Sequence, residues 1–172
     1  MLTLSLLRHA KSSWNNPSLP DQERPLATRG VSDAPLMGRA MVERGIDPDL
    51  VLCSSARRTR DTLALVLPEL KVEPQVIYKD ELYHPSPGEM LEILREVPPS
   101  ACRLLIVGHN PEIQAFALDL VGSGPKHYRD RLREKFSTGG LALINFTSGN
   151  WKGVAVNSGS LNLFISPKDA RK

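Results

Sequence analysis

Cysteine is scarce in this chain. Only Cys53 and Cys102 occur among 172 residues, which excludes a disulfide framework of the kind that staples small secreted domains. Both lie in apolar runs, Leu50–Cys53 and Cys102–Val107, and are expected as reduced core residues. Long apolar stretches are missing too. No run approaches the ~20 residues that a bilayer span needs, and the opening MLTLSLLRHA reaches Arg8-His9 too early for a secretory signal. A cytoplasmic protein with no membrane partner is the expectation. Charge of one sign is absent as well: 22 Lys+Arg stand against 19 Asp+Glu, a net +3, too small an excess to imply nucleic acid as a partner. There is no internal repeat or low-complexity tract, and the length suits one domain over residues 1–172. A chain of this size buries roughly 70% of its unfolded surface, so its core needs neither disulfide nor metal.

Several chemistries also lack their residues. A cysteine phosphatase needs Cys and Arg separated by five residues, but the sixth position after Cys53 holds Thr59. No GxxxxGK occurs, and Gly122-Ser123-Gly124 stands alone, so a nucleotide-binding P-loop is unsupported. There is no HExxH and no clustered set of His and Asp, which leaves a catalytic metal without ligands. No cofactor and no metal is expected.

What is present is an alternation. Leu2–Leu7, Leu50–Cys53, Gln75–Tyr78 and Arg103–Val107 are short apolar runs without a helical stripe, suited to buried strands. Between them the apolar spacing turns helical: Leu36, Met37, Ala40 and Met41, then Thr62, Leu63 and Val66, then Met90, Leu91, Leu94 and Val97. Asn110-Pro111 reads as a cap with proline at the first helical position, followed by Ile113, Phe116, Ala117, Leu120 and Val121 on one face and a stop at Gly122. Gly140–Phe146, Val154–Asn157 and Leu161–Ile165 read as closing strands. This order predicts an α/β fold, three layers α/β/α around a mainly parallel sheet, whose chemistry sits at the carboxyl ends of the strands. Lys11 to Gly30, with Pro17, Pro20 and Pro25, is expected as a long loop over those ends.

The residues that follow the predicted strands are Arg8-His9, Ser54 to Arg60, Asp80-Glu81 and Gly108-His109-Asn110. Two imidazoles, several guanidiniums and a carboxylate pair on one face suit a phosphoryl group. Guanidinium donors match phosphate oxygens, and a neutral imidazole can attack phosphorus.

These residues carry a resemblance to the histidine phosphatase superfamily, which includes the phosphoglycerate mutases. Arg8 through Asn15 resembles its RHGESxWN opening, with Ala10 and Lys11 departing from it. Ser54 through Thr62 resembles its S-P-x-x-R-A-x-Q-T segment, and Val107-Gly108-His109-Asn110 its second-histidine motif. The stretch LLRHAKSSW, with Arg24-Pro25-Leu26 and Arg29-Gly30, is more similar to the small SixA-type phosphohistidine phosphatases. The resemblance implies a phosphoglycerate mutase-like fold in which His9 is the nucleophile that becomes phosphohistidine. Arg8, Arg58 and His109 would hold the phosphoryl oxygens, and Asn15 would contact them by analogy. Glu81 falls where the superfamily's proton donor sits, with Asp80 as runner-up.

Phosphohistidine expels imidazole, an easy leaving group, so a donor is optional for it and needed for esters. The expected substrate is therefore a phosphohistidine-bearing protein domain, with a small phosphorylated metabolite as the alternative. A mutase and a non-catalytic phosphate-binding module are the remaining readings. Flanking guanidiniums are expected to keep His9 neutral. The amides that follow His109, at a helix start, are expected to form an anion cradle. Arg57 and Arg60 are expected on solvated helix faces, and His84 in a surface loop where Tyr83-His84-Pro85 could shape the rim. His127 opens a mixed-charge run, Lys126 to Lys135, read as a solvated helix or a dock for an acidic partner.

Overall fold

The computed structural model describes residues 1–172. Seven strands build one sheet: β1 (Leu2–Arg8), β2 (Leu50–Ser54), β3 (Gln75–Lys79), β4 (Arg103–Gly108), β5 (Val121–Ser123), β6 (Leu141–Phe146) and β7 (Gly159–Ile165). Their order is β3-β2-β4-β1-β6-β7-β5. Strands β1 to β4 pair in parallel, β5 pairs in parallel with β7, and β6 alone runs against its neighbours. The helices are α1 (Thr28–Glu43), α2 (Arg57–Val66), α3 (Pro87–Arg95), α4 (Glu112–Leu120), α5 (Lys126–Glu134) and α6 (Pro167–Ala170). This is the three-layer, mainly parallel α/β architecture that the alternation of periods predicts. No helix is long and apolar enough to cross a membrane.

The central strands read as unbroken apolar runs because both sheet faces are covered. Leu2, Leu4 and Leu6 of β1 join Leu50, Leu52, Leu104 and Ile106 in one core, against Met90, Leu94, Ile113 and Phe116 of α3 and α4. Leu7, Val51, Cys53, Leu105 and Val107 point to the opposite face, against Met37 and Met41 of α1 and Leu63 and Val66 of α2. The strand period of two thus divides each strand between two cores, while the helical period supplies one stripe to each. Every fully buried Leu contributes about 1.5–3 kcal/mol by leaving water.

Several expectations are corrected. Val154–Asn157 is not a strand: it leaves a single helical turn, Trp151–Gly153, and enters a turn in which Asn157 has φ 59. Val154 is a core anchor, and its carbonyl accepts two bonds from the Arg95 guanidinium, which a ladder would otherwise use. The sheet position is taken instead by β5, where the sequence pattern places only a helix stop. The loop over the strand ends finishes earlier than Gly30, because α1 starts at Thr28 and continues through Pro35. Helix α4 starts at Glu112 with Pro111, not Asn110, at its N-cap position, although Asn110 Oδ1, one residue earlier, accepts the Gln114 amide at 3.2 Å. Cys53 is buried, with its thiol pushed up to about 12 by burial, but Cys102 is exposed just before β4.

Candidate active site

Parallel register makes the strand ends level. Arg8 at the end of β1 lies opposite Gly108 at the end of β4, and Cys53 opposite Val107. The next residues, His9, His109 and Ser54, therefore emerge together at one edge. Gly139 closes this edge from the β6 side: at φ 72 its amide donates to the carbonyls of both Arg8 and His9, at 3.1 and 2.9 Å. A cavity of about 260 Å³ opens there, and Trp14 is its single hydrophobic lining residue. Four cationic side chains line it, Arg8, Lys11, Arg24 and Arg58, against one carboxylate, Asp21. Such a surface suits a small multivalent anion.

His9 is buried, and its Nδ1 lies 2.7 Å from the Ala10 carbonyl oxygen. A carbonyl only accepts, so Nδ1 carries the proton and Nε2 keeps its lone pair. The tautomer is thereby set for attack through Nε2. Burial lowers the His9 pKa to about 4, with Arg58, Arg8 and Arg24 adding to it against the opposing Ala10 bond. The expectation of a neutral imidazole thus holds, although burial outweighs the guanidiniums as the cause. Thr62 fixes the backbone beside it: its Oγ1 accepts the Ala10 amide at 3.0 Å and donates to the Arg58 carbonyl at 2.7 Å.

Arg58 and Arg8 approach from different elements. Arg58, in the first turn of α2, donates from Nη1 to the Asp21 carbonyl at 2.7 Å and from Nη2 to Asp21 Oδ2 at 3.0 Å. Asp21 also accepts from Arg24 at 3.0 Å and from the Tyr83 hydroxyl. Its carboxyl is held well below the usual range, by the Tyr83 bond first and the two guanidiniums after it. Arg24 stacks on the Trp14 ring and donates to Ser12 Oγ at 2.5 Å, which ties the loop to the site. Arg8 donates to the Phe136 carbonyl at 2.8 Å while its buried Nε has no partner. Burial, then Arg58, lowers the pKa of Arg8.

His109 is buried 5.4 Å from His9 between ring centroids, with Nε2 2.8 Å from Ser54 Oγ and Nδ1 unpartnered. Burial lowers its pKa to about 3, with Arg58, His9 and His84 acting in the same direction. Both imidazoles are consequently neutral at pH 7. His84 lies 5.5 Å from His109 between ring centroids and also lines the cavity.

Arg8, His9, Arg58 and His109 thus share one cavity, although they are remote in sequence. Glu81 does not line it. That side chain is 65% exposed and lies 3.9 Å from Lys79. Asp80 instead accepts from Ser55, and Asn15 is exposed outside the lining. Arg57 pairs with Asp61, and Arg60 lies over the Tyr78 ring. Neither they nor His127 lines the cavity. Helix α5 is tied down locally: Arg129 donates to Gly124, Arg131 to Asp169, and Arg133 to Asp130. The helix after His109 begins three residues on, so the expected amide cradle is displaced from it. Sequence reasoning missed Asp21, Ser12 and Thr138, while His84 lines the rim that Tyr83-His84-Pro85 was read as able to shape. The Arg24-Pro25-Leu26 motif was a signal for the loop. The others had none beyond their place beside strand ends.

The chain is similar to known proteins along most of its length. A model of the histidine phosphatase superfamily (branch 1) matches residues 4–90. An uncharacterised protein of Mycobacterium tuberculosis is 34% identical over 164 residues, 94% of this chain and 100% of that one. Among solved structures, a candidate phosphohistidine phosphatase SixA from Nakamurella multipartitia is 34% identical, with 96% of each chain covered and a TM-score of 0.83. A candidate SixA from Agrobacterium tumefaciens is 26% identical over 96% of this chain and 98% of that one, with a TM-score of 0.81. A protein histidine phosphatase SixA complexed with tungstate shares the fold, with a TM-score of 0.78 at 22% identity over 98% of this chain and 99% of that one.

Proposed function

The chain belongs to the histidine phosphatase superfamily, branch 1, and from that membership we propose that it hydrolyses phosphohistidine on proteins through a covalent phosphohistidine of its own, on His9. Membership and the neighbouring SixA structures support a phosphatase acting on phosphorylated substrates. The observation that carries the finer reading is the tautomer of His9: Nδ1–H is committed to the Ala10 carbonyl, and Nε2 is unprotonated in a cavity lined by guanidiniums.

In the first half-reaction, His9 Nε2 attacks phosphorus as the bond to the leaving group breaks. Charge spreads over three phosphoryl oxygens in a loose transition state, which asks mainly for fixed positive charge and positioning. Arg8, Arg58 and the His109 ring supply these. Asp21 holds Arg58 by two bonds and leaves the other N–H groups of its five-donor fork for the substrate. In the second half-reaction, water attacks the phosphohistidine and releases inorganic phosphate and neutral His9. No cofactor enters this sequence.

Two features favour a protein-borne phosphohistidine as donor. The neighbours at 34% and 26% identity carry SixA names, and the cavity's one carboxylate, Asp21, is ionised between two guanidiniums and cannot protonate an alkoxide. The competing reading, a small-molecule phosphomonoesterase, draws on the histidine pair of the next subsection. Purified protein assayed on a phosphohistidine domain beside a panel of phosphorylated metabolites decides between them. A kcat/KM at least tenfold higher on the domain is expected; a metabolite ester turned over faster than the domain would overturn the preference.

A further inference from the structure

His84 lies in a loop with 45% of its side chain exposed, as expected, yet it is also part of the site. Its ring lines the cavity beside His109, and its Nδ1 lies 2.7 Å from Glu112 Oε1. The backbone there is in the left-handed region, φ 56, which a non-glycine residue adopts at a cost. Glu112 belongs to the first turn of α4, its side chain is only 15% exposed, and its second oxygen, Oε2, is buried without a partner. A nearly buried carboxylate with an unsatisfied oxygen, joined to one imidazole, is a dyad for which the fold itself offers no use. A carboxylate on Nδ1 orients the ring and leaves Nε2 free to exchange a proton with a group in the cavity.

No other lining group is suited to that exchange. His9 and His109 are neutral and Asp21 is an anion, and Tyr83, outside the lining, spends its hydroxyl on Asp21. An ammonium gives up its proton less readily near neutrality than an imidazolium does. Glu81 and Asp80 lie outside the lining.

We propose that His84, oriented by Glu112, is the proton donor to the leaving oxygen, so that this phosphohistidine chemistry extends to phosphate esters. This deepens the reading of His9 as nucleophile and rests on it. As the His9 Nε2–P bond forms and the P–O bond breaks, the Nε2 proton of cationic His84 moves to the departing alkoxide, which leaves as an alcohol. In the second half-reaction neutral His84 takes a proton from the attacking water, the P–N bond breaks, and phosphate, neutral His9 and cationic His84 are regenerated. For a phosphohistidine substrate the leaving imidazole needs little help, so the dyad contributes little to the first half-reaction, the step that kcat/KM reports.

The test is leaving-group dependence. His84→Asn is the variant of choice, because asparagine tolerates positive φ and preserves the turn. Glu112→Gln tests the positioning partner, and kcat/KM is measured on 4-nitrophenyl phosphate, benzyl phosphate and a phosphohistidine domain. In H84N we expect at least a 100-fold loss on benzyl phosphate, the scale of general-acid catalysis. The losses on 4-nitrophenyl phosphate and phosphohistidine stay within about threefold, and E112Q shows the same order with a smaller ester loss. Uniform loss across the three substrates, no loss on any, or the ester-selective loss appearing in E81Q with H84N unaffected would each overturn the proposal. Trapping phosphoenzyme from 4-nitrophenyl phosphate keeps the two readings apart. If wild-type protein forms none on His9, the nucleophile reading fails, while the contrast between substrates still decides the proton donor.

Discussion

His9, the proposed nucleophile, must be neutral to attack phosphorus, and burial in the fold is what keeps it so. Because its pKa falls to about 4 and that of His109 to about 3, the folded protein refuses protons that the unfolded chain accepts near 6.5. The sign follows from linkage. As pH drops below about 6.5 the unfolded state gains protons first, so stability falls, until each folded-state pKa is reached. Each histidine contributes up to about 1.4 kcal/mol per pH unit in that window. Urea denaturation between pH 7 and pH 4 is expected to show this decline, and His9→Asn to reduce its slope by about one proton. An unchanged slope would contradict the buried, neutral His9. At this scale the sequence is informative where a side chain directly follows a strand: Arg8, His9 and His109 are examples. Asp21 was not legible as a site residue, and His84 only as part of a rim, because their contacts arise only when loops close over the strand ends.

At the scale of elements, the site depends on a close approach between α1 and the residues beyond β1. A Cβ added to Gly30 would lie 2.2 Å from the Lys11 carbonyl oxygen and 3.0 Å from its nitrogen, both backbone atoms that cannot yield by a rotamer change. Lys11 lines the cavity. Gly30→Ala is therefore expected to destabilise the fold by about 1–3 kcal/mol and to lower kcat/KM by displacing the His9 strand end. Chemical denaturation with steady-state assays checks both; a variant equal to wild type in both would show that the loop relaxes freely. The four parallel strands and their helices were legible: burial on both faces leaves apolar runs in β1, β2 and β4, and the more exposed edge strand β3 still carries Val76, Ile77 and Tyr78 in a row. The far edge was not. Val154 and Trp151 are apolar because they anchor a loop in the core, and β5 is three residues long with Gly122 at its centre, too short to leave a period.

Over the whole molecule, the two cores lie on opposite faces of one sheet, and β1 contributes to both. Neither core can be lost without exposing the back of the other. The account predicts one cooperative unfolding transition, with helix circular dichroism and the fluorescence of buried Trp151 changing together. Separate midpoints would divide the chain into units. The same sheet carries His9 and His109 on adjacent strands while α2 supplies Arg58, so the phosphoryl site is a property of the complete fold and not of any one motif. The central claim is tested most directly by rapid quenching with a radiolabelled phosphohistidine domain as donor. Acid-labile, base-stable label should appear on His9 at near one equivalent during turnover and be absent from His9→Ala. Sustained turnover by His9→Ala, or turnover of the wild type with no label on His9, would contradict it.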